Sequence, residues 1–131
     1  MTFTPESKLL DVGCKDELLL QLLTKMEKEN NSKVFESYLG YDLDENAIRA
    51  AACRNSDKRG SFQVADATKT FPLGDGAFDI VFCLGTLPLL DFEVFEDTLD
   101  RLCSHAIKHL LFNILHFERR SFHKEICLKR R

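Results

Sequence analysis

The strongest strand pattern in the chain is Phe78-Asp79-Ile80-Val81-Phe82-Cys83-Leu84. Apolar residues fill nearly every position, which is typical of a central strand of a parallel sheet that is buried on both faces. Other strand-like runs occur at residues 8–13, 34–41, 61–66 and 110–117, and helix-like stretches separate most of them. This alternation predicts βαβ units. We therefore expect an α/β fold with a doubly wound, mostly parallel, Rossmann-like sheet of about five strands.

Three stretches between these runs have the spacing of amphipathic helices. Residues 16–28 place leucines and a methionine among charges, and Asp16 is the expected N-cap. We expect a second helix after its cap Asp44 and a third over residues 92–105. Residues 118–131 carry six Lys or Arg against two Glu, a pattern that leaves a helix, a strand and a frayed tail open. The predicted organisation is thus an α/β domain over residues 1–117 and a basic C-terminal tail.

Composition excludes several classes of protein. The 131 residues carry a formal net charge of −3, which argues against nucleic-acid binding by bulk charge. No apolar run approaches the ~20 residues of a membrane span, and the N-terminus lacks a secretory signal pattern. The five cysteines lack paired spacing, which favours a reducing compartment, and we predict a soluble cytoplasmic protein. His105 and His109 would lie one helical turn apart, but no third ligand follows at a recognisable spacing, so we predict no metal site.

Acidic residues accompany the first three predicted strands. Asp11 lies just before the turn at Gly13, Asp42 ends the second strand, and Asp66 ends the third. In doubly wound sheets, ligands bind at the carboxyl ends of the strands, where the strand order reverses. A carboxylate after the second strand can accept hydrogen bonds from both ribose hydroxyls, and one after the third can accept from an adenine amino group. The three acids predict a nucleoside site, and the alternative is that they only shape turns and cap helices.

Several segments, in the right order, resemble class I S-adenosylmethionine (SAM)-dependent methyltransferases. Leu9–Cys14 resembles the first motif of that family, and Gly40–Asp44 resembles its ribose-binding segment. Asp66-Ala67 and the stretch over residues 71–82 resemble the adenine-proximal motif and the fourth strand. The resemblance covers residues 7–117, which is almost the whole chain.

The resemblance implies a function and a set of cofactor contacts. It implies a SAM-dependent methyltransferase of the small-molecule type, with SAM as the cofactor and a methyl acceptor that the sequence does not identify. Within the site, it implies that the first strand serves the methionine part, the second the ribose and the third the adenine. The residues so implied are Asp11, Gly13, Cys14, Asp42, Leu43, Asp66, Ala67 and Cys83. No residue stands out as a general base, and methyl transfer can proceed by proximity and alignment alone.

Two residues depart from the family's first motif. Lys15 and Glu17 stand where the family has glycines, which permit close backbone approach and torsion angles that side chains resist. We expect these side chains to weaken SAM binding. An acid at the start of a helix also opposes the carboxylate of the cofactor, although its ammonium group would favour one. A second hypothesis therefore stands beside the enzyme: a non-catalytic protein of the same fold that acts as a binding or partner module.

The fifth predicted strand, residues 110–117, bears on association. It is apolar, lacks proline and carries no charge that would discourage pairing. If the tail is not a paired strand, this run becomes an exposed sheet edge, which proteins cover or use. Either the tail folds back over it or a second copy of the chain pairs with it. We prefer a homodimer through the strand-five edge, because the tail is strongly charged.

Overall fold

The computed structural model describes residues 3–15, 17–69, 77–84, 91–115 and 121–127. A helix follows the first, second and fourth strands, as the sequence predicts, and no helix is described between the third and fourth strands. The elements are β1 (Lys8–Val12), α1 (Leu18–Asn30), β2 (Ser37–Asp42), α2 (Glu45–Arg54), β3 (Gly60–Val64), β4 (Phe78–Cys83), α3 (Phe92–His105), β5 (Ala106–Leu115) and β6 (Ser121–Cys127).

The strands form one sheet in the order β3-β2-β1-β4-β5-β6. All pairs from β3 to β5 are parallel, and β6 is antiparallel to β5. The chain moves outward from β1 to β3 and then returns to place β4 on the other side of β1, so the strand order reverses between β1 and β4. The predicted doubly wound, mostly parallel sheet is confirmed.

Two apolar clusters cover the two faces of the sheet. Leu10 and Val81 belong to the cluster that contains Leu102 of α3, whereas Leu9 and Ile80 belong to the cluster on the side of α1. Consecutive residues of β1 and β4 thus point to opposite faces that are both buried, which is why these strands read as continuous apolar runs. Burial of each such side chain contributes about 1.5–3 kcal/mol to folding.

The starts of the first two helices differ. The carboxylate of Asp44 accepts hydrogen bonds from the backbone N–H groups of Asn46 and Ala47, at 2.9 and 3.3 Å, so this predicted N-cap is confirmed. Helix α1 begins at Leu18, and its N-cap is Glu17, which makes no side-chain capping bond. The predicted cap, Asp16, lies outside the described residues. The position of this cap is a correction to the sequence prediction.

The first residues of two strands differ from those predicted, because the periodicity of the sequence is ambiguous there. β2 begins at Ser37, three residues later than predicted, and β5 begins at Ala106, four residues earlier. α3 ends at His105 and passes directly into β5, so His109 lies in a strand and not one helical turn after His105. No group of three metal-binding side chains occurs in the part of the chain that the structure describes. Among the helices in these ranges, none has the length and apolar composition of a transmembrane span.

The tail forms the sixth strand. Ser121–Cys127 pairs along β5 from Leu115 to His109, so the edge of β5 is covered by the same chain. Our preference for a second copy at this edge is thereby corrected. The physical reason is that backbone N–H and C=O groups form the ladder, so a charged sequence does not prevent pairing. The homodimer itself stays a prediction, and it would need a surface other than the edge of β5.

Candidate cofactor-binding site

The turn after β1 has an unusual backbone. The N–H groups of Gly13 and Cys14 both donate to the carbonyl of Tyr41, at 2.7 and 2.9 Å. Gly13 has a φ of 79°, and Lys15 and Glu17 have φ values of 46° and 64°, all in the left-handed region. Residues with a side chain enter this region at a cost that glycine avoids. The turn therefore has the backbone that glycines favour, with two side chains attached to it.

Asp42 joins this turn to the end of β2. Its Oδ2 accepts a hydrogen bond from the backbone N–H of Lys15 at 2.8 Å, and its Oδ1 accepts one from the N–H of Asp44 at 2.9 Å. Each carboxylate oxygen can accept a further bond, so both stay able to meet hydroxyl groups. Leu43, the next residue, is 68% exposed. The predicted ribose-binding acid thus lies against the predicted methionine-binding turn.

Asp11 is buried below the same turn. The hydroxyl of Tyr38 donates a hydrogen bond to Asp11 Oδ2 at 2.5 Å. Burial raises the pKa of Asp11 to about 6, the Tyr38 bond lowers it, and the charge of Asp42 raises it. Sequence reasoning missed Tyr38. A signal was available, because Tyr38 is a hydroxyl-bearing residue within a run that predicts a strand next to β1.

Cys14 and Gly40 make a close contact between the turn and β2. A Cβ atom at Gly40 would come within 2.8 Å of Cys14 Sγ and 2.9 Å of the Phe62 ring, so only glycine allows this approach. Burial, followed by the charges of Asp11 and Asp42, raises the pKa of the Cys14 thiol to about 12. Cys14 is therefore a packing residue that stays protonated near neutral pH.

The third predicted acid occupies the neighbouring strand end. Asp66 Oδ1 accepts hydrogen bonds from the backbone N–H and the hydroxyl of Thr68, at 2.9 and 2.6 Å, and these bonds lower the pKa of Asp66. Ala67 is buried, and its carbonyl accepts a bond from Arg101. The N–H of Ala65 donates to the carbonyl of Asp42, which keeps the ends of β2 and β3 adjacent.

A cavity of about 210 Å³ lies at the carboxyl ends of β1 and β4, where the strand order reverses. It brings three of the predicted residues together, whereas Asp66 and Ala67 lie at the next strand ends. Cys83 is fully buried in the core, and the residue that follows it, Leu84, reaches the cavity instead. The lining residues are Asp11, Gly13, Cys14, Lys15, Leu18, Leu19, Leu22 and Leu84.

Two larger cavities, of about 580 and 470 Å³, lie along α1 near the connection between α2 and β3. They are away from the strand ends that bind ligands in doubly wound sheets, so we place the candidate site at the smaller cavity. Glu17 lines the cavity of about 580 Å³. Its carboxylate is 4% exposed, 3.9 Å from Arg54 Nε and 3.4 Å from the amide of Gln21. Of the two departures from the family motif, only Lys15 lines the candidate site.

The strand order and the acids at the strand ends are typical of one family of enzymes. A doubly wound sheet, with acids at the ends of β1 and β2 beside the reversal point, is the Rossmann-like architecture of class I methyltransferases. The sequence matches the family described as "Methyltransferase domain" over residues 10–110. The chain belongs to this family of methyltransferase domains.

Solved structures share this fold at low sequence identity. A SAM-dependent methyltransferase from Methanosarcina mazei has 19% identity and a TM-score of 0.66, with 84% of this chain and 53% of that chain covered. Phosphoethanolamine N-methyltransferase 1 from Haemonchus contortus, bound to phosphoethanolamine and S-adenosylhomocysteine, has 16% identity and a TM-score of 0.75, with coverages of 91% and 24%. The [4+2]-cyclase SpnF has 19% identity and a TM-score of 0.65, with coverages of 82% and 38%.

These structural similarities establish the fold. The chemistry has to be inferred from the residues of the site. The chain spans about half of the Methanosarcina mazei protein, 38% of SpnF and about a quarter of the Haemonchus contortus protein. A comparison of the sequence with curated proteins finds no match.

Proposed function

We propose that this chain binds SAM at the carboxyl ends of its strands and takes part in methyl transfer to a small-molecule acceptor. The observation that carries the proposal is the hydrogen bond between Asp42 and the backbone of Lys15. It places an acid that suits a ribose directly against a left-handed turn beside the cavity. A nucleoside that carries an amino-acid group would use the acid for its ribose and the adjacent turn for its amino-acid part.

The residues of the site match the ribose, the adenine and the carboxylate group of SAM in polarity and charge. Asp42 would accept hydrogen bonds from the ribose hydroxyls, and the exposed side chain of Leu43 offers an apolar surface beside it. Asp66 and Ala67 would lie beside the adenine, at the next strand end. The cofactor's carboxylate would approach the start of α1, where the helix dipole favours an anion. Because the carboxylate of Glu17 faces Arg54 and not this cavity, it does not oppose that approach.

When bound, SAM supplies a methyl group on a sulfonium centre, ready for transfer to a nucleophile. The protein's part is to hold and orient this group. Cys14 keeps its proton near neutral pH, and Asp11 is held by Tyr38, so neither is placed to act as a general base. Rate enhancement would come from proximity and alignment. The net charge of −3 favours a small acceptor over a nucleic acid.

A non-catalytic binding module is the second candidate. One observation favours it: Lys15 carries a long side chain at a left-handed position of the cavity wall, which we expect to lower SAM affinity. The likeness to a [4+2]-cyclase also accords with the use of this fold for other activities. In this case the chain would bind a nucleoside or a partner without turnover.

Calorimetric titration with SAM and with S-adenosylhomocysteine tests the proposal. We expect saturable binding of both ligands to one site per chain. Absence of binding at millimolar concentrations would contradict the proposed function. Binding without consumption of SAM, across a panel of small amines, alcohols and thiols, would favour the non-catalytic module.

We also propose that the protein acts in the cytoplasm. Among the described residues, Cys14, Cys53 and Cys103 form no disulfide bond. Free thiols persist in reducing compartments, whereas secreted proteins tend to pair them. Labelling of intact cells that express a tagged full-length chain would test this location, and recovery in the oxidised exterior would contradict it.

A further inference from the structure

A buried tyrosine contacts the acid of the candidate site from the neighbouring strand. Tyr38 is the second residue of β2, and the parallel register places it beside Leu9, two residues before Asp11. The Tyr38 side chain is 1% exposed, and its ring packs against Phe62 with centroids 5.9 Å apart. Its hydroxyl reaches Asp11 Oδ2 at 2.5 Å. Packing and the hydrogen bond together hold the hydroxyl in one place.

This hydroxyl acts as a donor. Burial, followed by the neighbouring charge of Asp11, raises the pKa of Tyr38 far above the neutral range, so Tyr38 keeps its proton. Asp11 Oδ2 is thereby occupied. No hydrogen-bond partner for Asp11 Oδ1 occurs among the residues that the structure describes, and Asp11 lines the cavity. Oδ1 is therefore the atom that can accept a hydrogen bond from a ligand there.

We propose that Tyr38 is a positioning residue for the cofactor: its hydroxyl holds Asp11 as a charged carboxylate that presents Oδ1 to the ammonium group of the cofactor's amino-acid part. This inference rests on the proposed function. It concerns only ligands that carry an amine, because the ribose and adenine are assigned to the ends of β2 and β3.

The groups around Asp11 determine when it is charged. Its pKa of about 6 reflects burial, opposed by the Tyr38 hydrogen bond and reinforced by the charge of Asp42. β4 presents the apolar Phe82 opposite Asp11. Within the described residues, the turn next to Asp11 also carries the titratable or charged side chains Cys14, Lys15 and Glu17. Loss of the Tyr38 hydroxyl removes the contribution that lowers the pKa, so Asp11 would take up a proton at a higher pH.

The test compares two ligands over pH 5–8.5 by calorimetry. S-adenosylhomocysteine carries the amino-acid group, and 5′-methylthioadenosine shares its adenine and ribose but lacks that group. For the wild type, we expect S-adenosylhomocysteine affinity to fall about tenfold for each pH unit below 6, because only the charged carboxylate binds the amine. In Tyr38→Phe this fall should begin at a higher pH. The variant should bind several-fold more weakly than the wild type at pH 7 and approach wild-type affinity by pH 8.5, because loss of the Tyr38 hydrogen bond raises the pKa of Asp11.

Two comparisons separate positioning from structural damage. Methylthioadenosine affinity should not respond to Tyr38→Phe, whereas a general structural defect would weaken both ligands at every pH. Asp11→Asn keeps an acceptor for Tyr38 but cannot become charged, so its affinity for S-adenosylhomocysteine should lose the pH dependence. The double variant Asp11→Asn with Tyr38→Phe should then bind both ligands with the affinities of Asp11→Asn alone. If the single Tyr38→Phe variant does not fold, this comparison takes its place.

Parallel pH profiles for wild type and Tyr38→Phe, or an equal response of both ligands, would overturn the inference. In that case the wild type would still bind both ligands, and the proposed function would stand. If the wild type bound neither ligand, the proposed function would fail, and the inference would fail with it.

Discussion

Arg59 and Glu27 form a two-pronged ion pair between the residue before β3 and the end of α1, with N···O distances of 2.7 and 3.0 Å. The same guanidinium contacts Asp57 at 2.7 Å, donates to the carbonyl of Phe35, and lies 3.9 Å from the centre of the Phe35 ring. All three charged side chains are less than a third exposed. The cluster therefore fastens α1 to the amino ends of the strands, opposite the candidate site.

Replacing Arg59 should destabilise the fold in a pH-dependent way. Arg59→Met leaves two half-buried carboxylates without their partner, and we expect a loss of about 2 kcal/mol at pH 7. The pairing lowers the pKa of Glu27 and of Asp57, so its contribution is present at neutral pH and is lost as the pH falls through the carboxyl range. Urea unfolding at pH 7 and pH 3 should show the difference between wild type and variant shrinking in acid.

The control for that loss is Arg49→Met. Arg49 pairs with Glu45 at 3.0 Å, but their side chains are 68% and 73% exposed, so we expect a change of at most about 0.5 kcal/mol. Equal losses for the two arginine variants would show that burial of the Arg59 cluster contributes nothing.

Asp11→Asn should stabilise the protein at neutral pH. The folded-state pKa of Asp11 is raised to about 6, so its stabilising contribution is complete in acid and is lost as the pH rises through that value. Removing the charge should recover roughly 3 kcal/mol at pH 7.5 and little at pH 4. Asp66→Asn is the matched control of opposite sign, since hydrogen bonds from Thr68 lower the pKa of Asp66. A destabilised Asp11→Asn at pH 7.5 would contradict the prediction.

Lys15→Gly should stabilise the turn and tighten SAM binding. Lys15 has a φ of 46°, and glycine relieves about 1 kcal/mol of left-handed strain while clearing the cavity wall. Lys15→Ala removes the charge but keeps the strain, and Lys25→Gly on the exposed face of α1 should lose about 1 kcal/mol. Adding Glu17→Gly should not tighten binding further, because Glu17 does not line the candidate cavity. Weaker SAM binding by Lys15→Gly would mean that the ammonium group contributes favourably.

Asp42→Ala should weaken SAM binding by roughly 1.5–3 kcal/mol, because it removes charge-assisted hydrogen bonds to the ribose. Asp44→Ala changes the same residue type two positions further along. It should cost about 1 kcal/mol of stability through loss of the α2 cap and leave affinity unchanged. Calorimetry and thermal unfolding on both variants separate the two roles. Unchanged affinity in Asp42→Ala would remove Asp42 from the site.

Deleting residues 118–131 should cause association. The deletion removes β6 and leaves the N–H and C=O groups of β5 unpaired along an apolar edge, which favours pairing with a second copy. Light scattering at micromolar concentrations should show a larger mass for this variant. Deleting only residues 128–131 keeps β6 and should not add association beyond that of the intact chain. Equal masses for all three proteins would show that the covered edge does not govern association.

Local sequence patterns were enough to predict the first five strands, the three helices and the strand ends that carry acids. Continuous apolar runs identified β1 and β4 because both faces of these strands are buried, and the bounds of α3 follow its helical spacing. Asp44 was recognisable as a cap because capping depends on a hydrogen bond two residues away. Such features are local, so a single segment contains the information that specifies them.

The assembly of the site depends on contacts between residues that are far apart in the sequence. Asp42 meets the backbone of Lys15, and Tyr38 meets Asp11, across 27 residues of chain in each case. The direction of Glu17 likewise depends on the position of Arg54 on another helix. Periodicity reports which face of a segment is buried, but not which partner and register it finds. Those depend on contacts between distant residues, as does the pairing of a charged tail with β5 by backbone groups that side-chain composition does not reveal.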